Sequence, residues 1–332
     1  MGAFDLSDWD CKPVDSLESL DDAFDQAALS TPGIASYCSS RDWAIAASDH
    51  LHPGREPWVV ERDGSWLALT HGHHPQVGPY LQPLEGDWGF CAPVLGPNAS
   101  ANVQLLSAGL RHWERQWQVA LLHGLDVNTA DLVSTALQGR YRVVVRDGIR
   151  CRVASLEGGV DGFLSRRSSR FRRNLRRDRR RTDTLGVDYE TNKVTDGVDA
   201  LMARILAVEA RSWKTTAGQS VLASRRYRAF YINVLERAAA RGGARAAFAR
   251  VGGKDVAYVF GAVLADGYRG FQLGFDAEWA DLGVGNQVQL ALIEALCDEN
   301  IISYDLGMEM PYKARWAENL LPLRTVVVVN PL

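Results

Sequence analysis

The sequence lacks a run of about 18 apolar residues, so no segment of it predicts a membrane-spanning helix. The acidic first 22 residues also lack the basic and apolar regions of an export signal, and we therefore expect a cytoplasmic protein. The five cysteines are scattered without CxxC spacing, at positions 11, 38, 91, 151 and 297. They predict reduced thiols, with neither a disulfide framework nor a zinc site.

The sequence also has no large excess of positive or negative residues. Lys and Arg number 37 against 40 Asp and Glu, giving a formal net charge of -3. This balance argues against a protein coated by nucleic acid, so any polyanion must bind locally. Neither a P-loop nor a GxGxxG motif occurs. His71, His73 and His74 form a cluster, but no Cys or paired carboxylate lies close in sequence, so we expect a solvated loop and no metal site.

The 332 residues, 46% of them hydrophobic, are enough for two medium-sized globular domains. The pattern predicts a mixed α/β fold in which helices, a hairpin, a strand, a loop and a helix recur in the same order. Residues 58–64 resemble 248–253, and residues 102–105 resemble 286–290, at an offset close to 185. We therefore predict two related domains, 1–155 and 156–332. Within the first, we expect a strand at 87–94 and one long helix at 101–123.

One block interrupts the charge balance. Residues 165–181 (SRRSSRFRRNLRRDRRR) hold ten Arg and one Asp, so ten minus one gives a local charge of about +9. Ser168 and Ser169 can cap a helix here, and Phe171 and Leu175 lie four apart on one face. The block predicts a basic helix at the start of the second domain. It holds a single aromatic residue, which gives little support for stacking on single-stranded bases.

A short glycine loop precedes the last long predicted helix. Gly283, Val284, Gly285 and Asn286 follow a strand and open this helix. Free N–H groups at a helix N-terminus bind phosphate, and glycines allow close approach, although a tight turn explains the same letters. The corresponding place in the first half reads Gly96-Pro97-Asn98, where Pro97 removes a backbone donor. We therefore expect a degenerate donor site in the first domain.

Five motifs occur in a fixed order: residues 170–177 (RFRRNLRR), 209–214 (EARSWK), the helix from Phe230 to Arg241, 304–307 (YDLG) and 312–316 (YKARW). In this order they resemble GNAT-superfamily acyltransferases of the type associated with bacterial cellulose and exopolysaccharide biosynthesis. Those proteins are similar to the Fem peptidoglycan aminoacyltransferases, which carry two tandem GNAT-like domains. The resemblance covers residues 160–320 well and the first half only by its order of elements.

The resemblance implies two tandem GNAT-like domains, each with a mostly antiparallel sheet flanked by helices. It implies an N-acyltransferase that moves an acyl group from acyl-CoA to an amine, with the pyrophosphate on Gly283–Asn286 and the acceptor in a cleft between the domains. Backbone N–H groups of a strand edge would stabilise the oxyanion. We expect a base or amine anchor at Asp305 or Glu309, and a proton donor for the leaving thiolate at Tyr312. Residues expected to contact the acceptor or phosphates are Glu209, Trp213, Lys214, Lys313, Arg315, Arg172, Arg173, Arg176 and Arg177.

Structural roles remain open for these side chains, since Asp305 can cap a loop and Tyr312 and Trp213 can pack. Two other functions also remain open. A Fem-like enzyme would take its aminoacyl group from a charged tRNA held by the arginine block. A protein that kept the fold and lost catalysis would bind RNA alone. The block could equally cover CoA phosphates, meet an anionic carrier, or be a solvated face. The acceptor can be a sugar amine, an amino acid, a peptide or a carrier-bound intermediate.

Overall fold

The structure is a computed structural model and describes residues 11–331; the first ten residues of the acidic N-terminal segment lie outside the described part. The chain forms two compact units. The first comprises residues 11–150 together with 321–331, and the second comprises Cys151–Leu320. The sequence had placed residues 321–332 in the second domain. The difference arises because the C-terminal strand pairs with a strand of the first unit, as described below.

Counting the C-terminal strand of the chain, the first unit holds seven strands of one sheet, a short extra strand and four α-helices. The element bounds are β1 (Lys12–Pro13), α1 (Asp22–Ser30), α2 (Arg41–Ala46), β2 (Glu56–Arg62), β3 (Ser65–His74), β4 (Gly78–Pro83), β5 (Val94–Leu95), α3 (Ala99–His112), β6 (Val119–Leu125), α4 (Val127–Leu137) and β7 (Arg142–Ser155). The strand order is β1-β2-β3-β4-β6, and the C-terminal strand β13 (Asn319–Val329) then pairs antiparallel with β6. All neighbours are antiparallel except β4 and β6.

The second unit repeats this plan. Its elements are α5 (Gly159–Ser165), α6 (Ser169–Thr184), β8 (Asp188–Lys193), α7 (Val198–Glu209), α8 (Trp213–Thr216), α9 (Arg225–Ala240), β9 (Ala244–Val251), β10 (Lys254–Leu264), β11 (Gly267–Phe275), α10 (Val284–Asp298) and β12 (Ser303–Met308). The strand order is β8-β9-β10-β11-β12, and the end of β7 from Cys151 then pairs antiparallel with β12. Only β11 and β12 are parallel. The predicted mixed α/β fold with mostly antiparallel sheets is confirmed.

The predicted repeat also appears in the structure. The hairpin β2–β3 has its counterpart in β9–β10, and the helix α3 in α10, because each pair occupies the same place in its sheet order. Each helix crosses between the two parallel strands of its own unit. A parallel pair requires such a crossover, which fixes the helix N-terminus beside the end of the first strand.

Two predicted elements were wrong. The helix expected at 101–123 ends at His112, and residues 119–125 form β6, in which alternate side chains are buried. This alternation has the period of a strand rather than a helix. The strand expected at 87–94 is a loop, of which only Val94 and Leu95 pair with β3. The three histidines lie in or at the end of β3, not in a loop, and His71 stacks on Trp58 with ring centroids 4.6 Å apart.

Each unit has its own apolar core. In the second, α10 packs on the sheet with the buried face of α6, whose Phe171 and Leu175 contribute as the sequence predicted. Ser168 caps α6, since its Oγ accepts the N–H of Phe171 at 3.2 Å. In the first, α3 and α4 cover one sheet face. None of the helices within residues 11–331 is long and apolar enough to cross a membrane.

Candidate functional site

The parallel strands β11 and β12 separate after three residues. They pair only as Gly267 with Ser303, Tyr268 with Tyr304, and Arg269 with Asp305. Beyond that point β11 stays paired with β10, with one extra residue, Phe271, inserted between Gly270 and Gln272. We call the gap between the separated strands the wedge. Along it, the edge of β11 beyond Arg269 pairs with no further strand among the described residues, so backbone N–H groups of this edge are available to a ligand.

An ion pair marks the narrow end of the wedge. Arg269, which is buried, donates from Nη1 to Oδ2 of Asp305 at 2.6 Å. Oδ1 of Asp305 accepts the N–H of Gly307 at 2.7 Å. Gly307 has a φ of 78°, a conformation that favours glycine, and a Cβ there would lie 3.0 Å from Arg269 Nη2. Both oxygens of Asp305 are therefore used to hold the two strands where they part.

A cavity of about 500 Å³ occupies the wedge, a size that suits a drug-sized ligand. One wall is the freed part of β11, and others come from α8, the glycine loop and residues 310–316. Its aromatic lining residues include Phe271, Phe275, Tyr304 and Trp316. The predicted residues that line it are Trp213, Lys214, Gly283, Gly285, Asn286, Tyr312 and Lys313. Burial raises the pKa of Tyr312, which keeps its hydroxyl protonated at neutral pH.

Two lysines hold the strand edges on either side of the cavity. Nζ of Lys214 donates to the carbonyl of Leu273 in β11 at 2.5 Å. Nζ of Lys313 donates to the carbonyls of Leu306 at 2.6 Å and Met308 at 3.0 Å, in β12. Desolvation lowers the pKa of both lysines, that of Lys313 to about 8 with a further contribution from the nearby Arg269 guanidinium.

The glycine loop leaves the start of α10 open. Gly283 is the N-cap with a φ of 71°, and no side chain caps this helix. The N–H groups of Asn286 and Gln287 both donate to the carbonyl of Gly283, at 3.0 and 3.1 Å. Val284 is buried and does not line the cavity, so only its backbone can contribute. The N-terminal N–H groups and positive dipole end of α10 thus point to an anion site beside the cavity.

A smaller cavity of about 210 Å³ lies on the other side of the same loop. Its lining includes Asn174 and Arg177 of α6, Asp178, Asn286 and Arg315. Arg177 donates to Oδ1 of Asp178 at 2.8 Å, while the other oxygen of Asp178 would lie 2.7 Å from a Cβ on Gly283. A phosphate bound to the loop would therefore face two guanidinium groups and one carboxylate.

The arginine block divides into two sets. Several side chains are used within the protein: Nη1 of Arg172 donates to the carbonyls of Leu164, Ser165 and Arg167, and Arg181 donates to that of Asp281. Buried Arg167 pairs with Glu318. By contrast, the exposed side chains of Arg170, Arg173, Arg176 and Arg180 form no hydrogen bond or ion pair with the described residues. The last three lie opposite the buried face of α6, which comprises Phe171, Leu175, Asp178 and Thr182.

The three predicted carboxylates lie outside the cavity lining. Glu209 is buried, and its two oxygens accept the hydroxyls of Tyr258 at 2.7 Å and Ser220 at 2.6 Å. Glu309 pairs with Arg152, and Asp305 with Arg269. Their roles as bases or substrate contacts stay predictions, and these bonds give them no support. The wall formed by β11 was not among the predicted site residues. Gly270 and Gly274 inside a strand were its signal, since such glycines mark bulges and close contacts.

The corresponding strands of the first unit also separate, after Tyr80–Val119 and Leu81–Ala120. Here the chain itself lies against the open edge: a Cβ on Gly124 of β6 would be 2.3 Å from the carbonyl oxygen of Cys91. The carboxylate of Glu85 folds this loop by accepting the N–H groups of Trp88 and Phe90, at 2.6 and 3.1 Å. Asn98 caps α3 through two N–H groups. In the first unit, the chain thus covers the separated strand edge and a side chain caps the helix start, both of which are open in the second unit.

Within the described residues, no group of three or more His, Cys, Asp or Glu side chains is placed to hold a metal ion. Residues 169–314 match the sequence family described as acetyltransferase (GNAT) domain. No curated protein matches the chain.

Several solved structures share the fold along nearly the whole chain. A conserved protein of unknown function from Bacteroides thetaiotaomicron has a TM-score of 0.66 and 12% identity over 97% of this chain and 99% of its own. FemX has a TM-score of 0.65 and 10% identity, with coverages of 95% and 96%. A tandem GNAT protein from the clavulanic acid biosynthesis pathway has a TM-score of 0.51 and 13% identity, with coverages of 96% and 97%. At these identities the likeness describes the fold.

Proposed function

Because residues 169–314 match the acetyltransferase (GNAT) domain family and the chain shares its fold with a tandem GNAT protein, we propose that this chain transfers an acyl group from a thioester such as acetyl-CoA to an amine. One observation carries the proposal. The uncapped start of α10 and the freed edge of β11 border the same cavity, so a phosphate and a thioester carbonyl of one donor can be held together. The first unit lacks this combination, since Asn98 caps its helix.

In the proposed reaction, the amine nitrogen attacks the thioester carbon and the carbon–sulfur bond breaks. The oxyanion that forms would be stabilised by N–H groups of the freed β11 edge. The thiolate would take its proton from Tyr312, whose raised pKa keeps it protonated. The phenolate left behind would take the proton that the attacking nitrogen loses on becoming an amide. Before it attacks, the acceptor amine must lose its extra proton to solvent, because the candidate bases Asp305 and Glu309 are already in ion pairs.

Calorimetric titration with acetyl-CoA and CoA tests this proposal. Wild type should bind, and Gly285→Glu should weaken binding at least tenfold, because it adds negative charge at the phosphate position. A side chain at 285 would also lie 2.7 Å from Cδ1 of Phe275, so Asn286→Glu serves as a second variant that adds the charge at an exposed position. Ser100→Glu, in the first turn of α3, is the matched control and should bind as wild type does.

Two results would count against the proposal. Absence of binding to any acyl-CoA at millimolar concentration would rule out the CoA donor. Equal weakening by Ser100→Glu and Asn286→Glu would show that the charge acts without regard to the loop, and would also count against the proposal.

A second donor class is favoured by the unpaired arginines of α6. Arg173, Arg176 and Arg180 present three exposed guanidinium groups on one helix face, which fits the phosphate backbone of an aminoacyl-tRNA. The Fem-like reaction would then use the same wedge with an ester in place of the thioester. For such binding, log K should fall steeply with log salt concentration.

Replacing Arg173, Arg176 and Arg180 together by Gln should reduce that slope by about 2 to 3, close to one per contact. A control variant carries the same change of charge at exposed Arg115, Arg142 and Arg146 of the first unit, and its slope should stay near that of wild type. Equal slopes in the two variants would show that α6 does not contact the tRNA.

A further inference from the structure

The cavity of the wedge is lined by cations and by no anion. Its charged lining residues within the described chain are Lys214 and Lys313, and no Asp or Glu is among them. The other polar side chains there are amides and hydroxyls. A ligand that fills this cavity therefore meets two ammonium groups at once.

Both ammonium groups retain unused donors. An ammonium has three N–H groups. Lys214 uses one, on Leu273 of β11, and Lys313 uses two, on Leu306 and Met308 of β12. Two donors of Lys214 and one of Lys313 are therefore left, and no described carboxylate forms an ion pair with either lysine. Since both side chains line the cavity, these donors can reach a ligand within it.

The neighbouring charges do not balance. Arg269, Asp305 and Glu209 are the charged groups that influence the two lysines from the surrounding elements. Asp305 is bound by Arg269, and Glu209 by Tyr258 and Ser220. Three cations thus stand against two anions, which leaves one positive charge without a partner. The lowered pKa values of the lysines agree with this lack of a negative partner, since burying an ammonium without a counter-ion is unfavourable.

From this we infer that the wedge holds a carboxylate carried by one of the substrates, bound by Lys214 and Lys313. The inference rests on the proposed function only in calling that molecule a substrate. The carboxylate has two possible sources: the far end of a dicarboxylic acyl group on the donor, or an amino acid that serves as acceptor. In either case, a neutral molecule of the same shape should bind less well, because it leaves the ammonium groups without a charge partner.

Modification of lysines in the wild-type protein tests the carboxylate site without any donor. Acetic anhydride at pH 7.5 is used with mass spectrometry of Lys214, Lys313 and Lys254, the last an exposed lysine outside the cavity. Succinate should slow modification of Lys214 and Lys313 at least fivefold and leave Lys254 unchanged, while succinamide should have no effect. Equal protection by succinamide, or no protection by succinate, would overturn the inference.

Variants distinguish this inference from the proposed function. Lys214→Met and Lys313→Met should each weaken succinate binding at least tenfold in calorimetry, and Lys254→Met should not. If acetyl-CoA binds but succinate neither binds nor protects, the carboxylate site is wrong and the proposed function stands. If succinate binds and no acyl-CoA does, the site stands and the CoA donor fails.

A final comparison identifies the source. Tighter binding of succinyl-CoA than of butyryl-CoA, lost in Lys214→Met, would place the carboxylate on the acyl group. Equal binding of the two, with protection of both lysines by alanine and not by ethylamine, would place it on the acceptor.

Discussion

Replacing Lys313 by Met should stabilise the protein near neutral pH, although this lysine makes two hydrogen bonds. The pKa of Lys313 falls from its ordinary 10.5 to about 8 in the folded protein. Folding therefore disfavours the charged form of this side chain, chiefly through desolvation. Methionine has a similar length and flexibility and carries no charge into the wedge.

The magnitude follows from the pKa. At 1.36 kcal/mol per pKa unit, the fall from 10.5 to about 8 corresponds to about 3 kcal/mol. The side chain borders an open cavity, so solvent reduces this value, and the carbonyls of Leu306 and Met308 lose a donor that water must replace. We expect a net gain of about 1 to 2 kcal/mol in the free energy of unfolding of Lys313→Met at pH 7.

The gain should depend on pH with a definite sign. Between pH 8 and 10.5 the unfolded chain binds more protons at Lys313 than the folded chain does, so wild-type stability rises through this range. The advantage of the variant should therefore shrink from pH 7 to pH 10. Urea unfolding followed by circular dichroism measures it, with Lys254→Met as the control, where the exposed pair with Asp276 predicts a loss of at most about 1 kcal/mol. A destabilised Lys313→Met, or an advantage constant with pH, would show that folding does not disfavour the ammonium of Lys313.

Two further predictions concern packing and capping. Leu175→Ala should cost about 2 to 4 kcal/mol in urea unfolding, because this side chain is 3% exposed in the core, whereas Leu185→Ala, 47% exposed, should change stability by less than about 0.5 kcal/mol. Asn98→Ala should cost about 1 kcal/mol, since it removes the cap of two N–H groups on α3, and Asn98→Asp should retain most of the stability; equal losses in the two variants would contradict a capping role.

The spacing of apolar residues, together with the glycine, proline and capping residues at the ends of elements, predicted most of the fold. The hairpins at Asp63-Gly64 and Gly252-Gly253, the capped basic helix and the glycine loop each depend on nearby residues, so local chemistry specifies them. The helix expected at 101–123 failed because its second half meets the sheet, where pairing with β4 and β13 decides the conformation. The sequence likewise did not predict that the C-terminal strand belongs to the first unit, since this depends on a partner strand about 200 residues away.

The site was only partly predictable for the same reason. Gly283, Gly285 and Asn286 lie together in sequence, and all three line the cavity, while their binding of an anion stays a prediction. The ion pair of Asp305 could not be predicted, because its partner Arg269 is 36 residues distant and becomes its neighbour only through strand register. The wedge itself is a property of two strands that stop pairing, and no single stretch of sequence encodes it.

Hydrogen–deuterium exchange with and without CoA locates the bound donor on the chain. If CoA binds in the wedge and at the glycine loop, exchange should slow in residues 270–273 and 283–287 of the second unit and stay unchanged at 98–102 of the first. Unchanged exchange in both stretches of the second unit at saturating CoA, or protection at the start of α3 instead, would show that the donor does not bind there.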